Sequence, residues 1–162
     1  MLSPKMLDAL NQQINREFAS AYLYLAMAAQ CESQSLPGMA HWMKRQASEE
    51  YAHGMRLFEH ICDRGGRVSL AAIPQPPIDF GSARELFEQV LAHERKVTAY
   101  INAVYELALE DKDYATQVAL HWFINEQVEE EKNASVIVDQ LRTIPDTSSA
   151  ILFLDRQLGK RS

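Results

Sequence analysis

Every long amphipathic stretch of this chain interrupts its own apolar stripe with a carboxylate. The first series runs Leu10, Ile14, Glu17, Ala21, Tyr24 and Ala28. The second runs Met39, Met43, Gln46, Glu50, His53, Leu57 and Ile61. The third is Phe87, Val90, Glu94, Val97, Ile101 and Val104, and the fourth Leu120, Phe123, Gln127, Glu130, Ala134, Ile137 and Leu141. Spacings of three and four place each series on one face of an α-helix. The interruptions are costly. An uncompensated charge in a core costs several kcal/mol, against a stability of only ~5–15 kcal/mol for a whole domain. Four such residues facing inward require cations among them.

The stretches have clear ends. Ser3 and Pro4 read as N-cap and N1 of a first helix that reaches about Glu32. Leu36-Pro37-Gly38 is a turn. A second helix runs from about Gly38 to Arg64 and stops at Gly65-Gly66. Residues 67–81 show no period, contain Pro74, Pro76 and Pro77, and read as an extended connection. Ser82-Ala83-Arg84-Glu85 is a capping box that opens a third helix, ending near Glu110. Asp113 is the expected N-cap of a fourth helix that ends near Arg142, before Pro145. A short fifth helix is expected over about 147–158. The expected architecture is all-α, with a four-helix bundle over about 4–142 inside one domain spanning 1–162. The connection at 67–81 extends to ~50 Å at ~3.3 Å per residue, longer than a ~40 Å helix. It therefore joins two antiparallel pairs end to end.

Bulk properties narrow the partners. At 162 residues and 47% hydrophobic, the chain is long and apolar enough for a real core. Its net charge of -6 and lack of a basic stripe argue against nucleic acid. No apolar run approaches the ~20 residues that cross a membrane, and Met1 to Met6 resembles no secretory signal. Cys31 and Cys62 fall ~30 Å apart in an antiparallel first pair, too far to bridge. Both read as small buried hydrophobes, and a cytoplasmic location is expected.

Turn geometry then asks whether the acids meet. Glu17 lies about 18 residues before the first turn, and Glu50 and His53 about 15 and 18 after it. Glu94 lies about 18 residues before the Asp111-Lys112 turn, and Gln127 and Glu130 about 15 and 18 after it. All six share one depth near mid-bundle. Carboxylates with an imidazole suit iron, manganese or zinc, and Glu17, Glu50, Glu94 and Glu130 balance two divalent ions. The spacing is compatible with Glu17, Glu50 and His53 on one ion and Glu50, Glu94 and Glu130 on the other, with positions left for dioxygen. His41, His60, His93 and His121 are expected off this level, and Trp42 and Trp122 as packing residues, with Trp122 close enough to supply an electron.

Four segments carry a specific likeness: Asn15-Arg16-Glu17, Ser48-Glu49-Glu50-Tyr51-Ala52-His53, Glu94, and the run from His121 to Glu131 that contains Gln127-Val128-Glu129-Glu130. Inward Glu residues combined with Glu-x-x-His mark the ferritin-like di-iron class. Over nearly its whole length the chain resembles the bacterial non-haem ferritins. The resemblance implies a ferroxidase site of Glu17, Glu50, His53, Glu94, Gln127 and Glu130. It implies a third iron position from Glu49, Glu126, Glu129 and Glu130 on the cavity side, and Tyr24 beside the pair as a hydrogen-bond donor or electron source. It further implies Fe(II) as substrate, dioxygen or hydrogen peroxide as oxidant, and a 24-subunit cage that stores ferric mineral, with the fifth helix on the four-fold axes.

Departures from the family pattern are informative. Gln127-x-x-Glu130 stands where a symmetrical site has Glu-x-x-His, which argues against the bacterioferritin branch. Ala52 occupies the expected place of a haem-ligating methionine, so no haem is expected, and Met55 reads as core. Gln117 and Leu120 stand where animal ferritins carry acidic channel residues, which leaves the iron entry route open. The competing reading is a stand-alone di-iron carboxylate oxidase without storage; the acidic third-position set favours storage.

Overall fold

In a computed structural model the described residues are 1–145 and 147–162. Five helices follow in order: α1 Pro4–Ser33, α2 Pro37–Asp63, α3 Ala83–Glu110, α4 Tyr114–Arg142 and α5 Ala150–Leu158. No strand occurs among the described residues. The ends form as the sequence chemistry dictates. The Ser3 hydroxyl accepts from the Met6 amide, Ser82 and Glu85 exchange both bonds of a capping box, and Asp113 accepts from the Thr116 amide. Helix α2 closes in a Schellman motif, with the Gly66 amide on the Ile61 carbonyl and Gly65 at φ 70°. The fifth helix starts at Ala150, three residues later than expected.

Helix α2 begins differently. Leu36 offers no side-chain cap. Asp155 of α5 supplies one from a distance, accepting from the Gly38 amide at 3.1 Å and the Met39 amide at 2.7 Å. Together with the packing of Leu154 in the core, this fastens α5 to the bundle.

The crossover can be followed by its anchors on α1. Near the start of α1, the Asn11 side chain bonds the Arg67 carbonyl and the Ser69 amide. Near its end, Gln30 bonds the Phe80 amide and the Gly81 carbonyl. Between these anchors the connection runs along α1 for ~28 Å. Contacts from Ser3 to Asp111 and from Arg64 to Asp113 close the far end of the bundle. Helices α1 and α2 thus pair, α3 and α4 pair, and the pairs join through α1 and α3.

Every residue of the four apolar series is buried except Ala21, which is half-buried. Ser20 is buried beside it. The apolar core falls into two clusters. One holds Met27, Met39, Phe87 and Ile137; the other holds Leu10, Leu57, Ile101 and Leu120. Between them lies a polar layer of Gln13, Glu17, Ser20, Gln46, Glu50, His53, Glu94, Gln127 and Glu130. Both cysteines are free. Cys31 is buried, but Cys62 is exposed near the end of α2, contrary to the expectation of two buried thiols. Among the described residues, no helix is long and apolar enough to cross a membrane.

Candidate metal centre

All four bundle helices contribute to the polar layer, at the common depth expected from the turns. Glu17 on α1 and Glu50 on α2 are each 1% exposed, Glu94 on α3 is fully buried, and Glu130 on α4 is 6% exposed. His53 stands one turn after Glu50, and its Nδ1 lies 3.8 Å from Glu50 and 3.9 Å from Glu17. Ligand atoms of Glu17, Glu50 and His53 all lie within 4.8 Å of one another.

Donors are unevenly distributed around these acids. Gln13 donates to Glu17 Oε1 at 2.7 Å, and Gln46 to Glu130 Oε2 at 2.6 Å. Glu94 receives the Tyr24 hydroxyl and, at 3.2 Å, the Gln127 amide. Glu17 Oε2 and both oxygens of Glu50 are buried with no donor in reach. Native proteins rarely leave such atoms without a partner. Two of these oxygens, Glu17 Oε2 and Glu50 Oε2, lie 3.9 Å and 3.8 Å from His53 Nδ1.

Electrostatics agree. Burial pushes Glu50 well above the ordinary carboxylate range, and the charges of Glu17, Glu94 and Glu130 push it further. Burial also raises Glu17 and Glu94. Glu130 rises to about 7, through burial first and then Glu94. Burial, with help from Arg56, lowers His53 to about 4, so its imidazole is neutral and fit to ligate. Burial and Glu94 hold the Tyr24 phenol well above its usual value, so it stays a donor. Protonated acids around a neutral imidazole form a site that exchanges protons for a cation.

A second trio departs from the sequence expectation. His53, Glu126 and Glu130 also bring ligand atoms within 4.8 Å of one another. The expected partners of Glu130 on a second ion, Glu50 and Glu94, are not in that group. Glu94 is bonded by Tyr24 and Gln127, and Glu130 by Gln46. Of the proposed third-position set, Glu126 joins this trio. Glu129 is exposed, and Glu49 is engaged elsewhere, by Arg161 at 2.5 Å.

Some residues differ from their expected places and others keep them. His93 is not remote, because it bonds Ser20 at 2.8 Å and its ring meets Tyr24 edge-on. His41, His60 and His121 bond Arg161, Thr116 and Tyr105, away from the acids. Trp122 stands 5.2 Å from the His53 ring. Met55 is half-buried rather than core. Leu120 is fully buried, and Gln117 is bonded to the Ala108 carbonyl. Gln13 and Thr98 escaped the sequence reading, although both help to hold acids: Thr98 donates to Glu131 and accepts from Gln127. The signal for Gln13 was its place one turn before Glu17.

Comparison with known proteins converges on one family. The Ferritin-like domain family matches residues 7–144. A bacterial non-heme ferritin of Staphylococcus aureus (strain USA300) is 41% identical over all of this chain and 98% of its own length. The corresponding protein of Staphylococcus saprophyticus is 43% identical, covering 100% of this chain and 97% of its own. The open pore ferritin of the hyperthermophilic archaeon Archaeoglobus fulgidus superposes with a TM-score of 0.98 at 46% identity, covering 99% of this chain and 98% of that one. With a donor-starved acid layer inside this bundle, and relatives matched end to end, the chain belongs to the ferritin family.

Proposed function

We propose that this protein stores iron and is a ferroxidase, oxidising Fe(II) at a paired site inside each subunit. The observation that carries the reading is the set of three buried, donorless carboxylate oxygens on Glu17 and Glu50 beside a neutral His53. Glu17, Glu50 and His53 bind the first Fe(II). Glu50, Glu94 and Glu130 take the second, with Gln127 orienting Glu94 or a water. The four carboxylates match the charge of two divalent ions. Two Fe(II) ions together supply two electrons, the number that takes dioxygen and two protons to hydrogen peroxide without releasing superoxide. Peroxide is the alternative oxidant.

Glu49, Glu126, Glu129 and Glu130 form a third position through which iron moves towards a cavity. Twenty-four copies of this single ferritin-like domain form the cage, in the cytoplasm, without haem. Outward-facing Leu152 and Phe153 on α5 and Tyr114 and Val118 on α4 support burial against other copies. The acids beyond the paired site favour storage over a free-standing oxidase.

The test is anaerobic loading with Fe(II) followed by oxygen. A fast oxidation of about two irons per subunit is expected, and Glu50→Ala should abolish it. An unchanged initial rate in that variant would overturn the assignment.

A further inference from the structure

The C-terminal segment reaches back into the acid set from outside the bundle. Asp155 docks α5 on the start of α2. His41 then bonds the Arg161 carbonyl at 2.6 Å and fixes the backbone beyond α5. From there the Arg161 side chain lies along two turns of α2. Its guanidinium sits 4.7 Å from the Trp42 ring centroid and donates to the Trp42 carbonyl at 3.4 Å. It ends on Glu49 Oε2 at 2.5 Å. The arginine side chain is 21% exposed and that of Glu49 35%, so the pair is shielded more than an ordinary surface ion pair. Trp42 and Glu49 are seven residues apart and share a helix face, which is why one long side chain can touch both.

Arg161 therefore places a fixed positive charge beside one member of the third-position acids. Glu49 is, with the exposed Glu129, one of the two third-position acids absent from the His53, Glu126 and Glu130 trio. Its charge is felt there, since it raises both Glu126 and Glu130, whereas Arg161 lowers Glu130.

We propose that Arg161 is the resident counter-cation of the third iron position, engaging Glu49 until an incoming cation displaces it, and so keeping that position weaker than the pair. The inference rests on the third position of the proposed function. A weakly held third ion is released readily, which suits transit rather than retention. Arg161 is a positioning residue: it acts through Glu49 and touches no iron.

The test is calorimetric titration of the assembled, metal-stripped protein with Zn(II), a redox-inert probe, for wild type, Arg161→Gln, Arg161→Lys, Glu49→Gln, Glu126→Gln and the Arg161→Gln, Glu49→Gln double variant. Wild type should bind two ions tightly and a third more weakly. Arg161→Gln should tighten the third constant roughly three- to tenfold and leave the first ion, on Glu17, Glu50 and His53, unchanged, as expected for release of a partly shielded ion pair. Arg161→Lys, which keeps the charge, should stay near wild type. In a Glu49→Gln background, Arg161→Gln should change nothing. A third constant unmoved or weakened by Arg161→Gln, or all three constants falling with the melting temperature, overturns the counter-cation role. A third event absent from wild type, with Glu49→Gln and Glu126→Gln both silent, overturns the third position itself.

Discussion

Glu50 concentrates the conflict between stability and function. Both of its oxygens are buried without donors, among three other acids. Glu50→Gln keeps the shape and removes a carboxyl that burial penalises once it ionises, so it should raise the melting temperature of the metal-stripped protein at about pH 8. The same change should abolish the further rise produced by Zn(II). Thermal melts with and without Zn(II) decide this, and a metal-stripped variant less stable than wild type would contradict it.

The sign of the pH dependence follows from Glu130. Its carboxyl moves from 4.5 to about 7 in the folded protein. A group raised by folding contributes stability that is full below its unfolded value and is lost as pH rises through the folded one. Glu17, Glu50 and Glu94 shift in the same direction. The metal-stripped protein should therefore lose stability as pH rises from about 4.5 through about 7. A divalent ion restores what the free carboxylates cost, so the Zn(II)-induced rise in melting temperature should be larger at about pH 8 than at about pH 5.5. Equal rises at both would show that the acids are already ionised before the metal arrives.

Among the elements, α5 depends on one glycine. A Cβ at Gly38 would stand 1.7 Å from the Asp155 carbonyl oxygen, a backbone atom that cannot swing aside. Gly38→Ala should push α5 off the bundle while the four long helices persist. Asp155→Ala should do so more gently, because it removes the cap of α2 and leaves the packing of Leu154. Loss of such a cap costs about 0.5–2 kcal/mol. Hydrogen exchange should show amides of residues 150–158 losing protection in both variants, with those of α1 and α3 unchanged. Uniform loss of protection would mean that α5 is part of the cooperative core.

The whole molecule exposes more apolar surface than the bundle needs. Phe153 is 67% exposed on a helix otherwise docked against α2. Sizing chromatography should give a particle of roughly half a megadalton, as expected for twenty-four chains of 18.4 kDa. Phe153→Asp should yield smaller species of unchanged helix content, since that side chain lies outside the core. A wild-type particle of one or two chains would favour the oxidase reading.

The local code determined much of this. Helix ends at Ser3, Ser82 and Asp113, the crossover and the four inward faces follow from capping chemistry and a period of 3.6, both of which act within a few residues. Equal distances from the turns even put Glu17, Glu50, His53, Glu94, Gln127 and Glu130 at one depth. Tertiary structure decided which donor each acid receives. Tyr24 reaches Glu94 across 70 positions and Gln46 reaches Glu130 across 84. Arg161 meets Glu49 across 112, and Asp155 caps α2 from more than a hundred residues away. Such pairings depend on how helices are rotated and offset against each other, and no periodicity along one helix encodes that. The same cause makes His93 a neighbour of Tyr24, exposes Cys62, and leaves Glu50 without a donor.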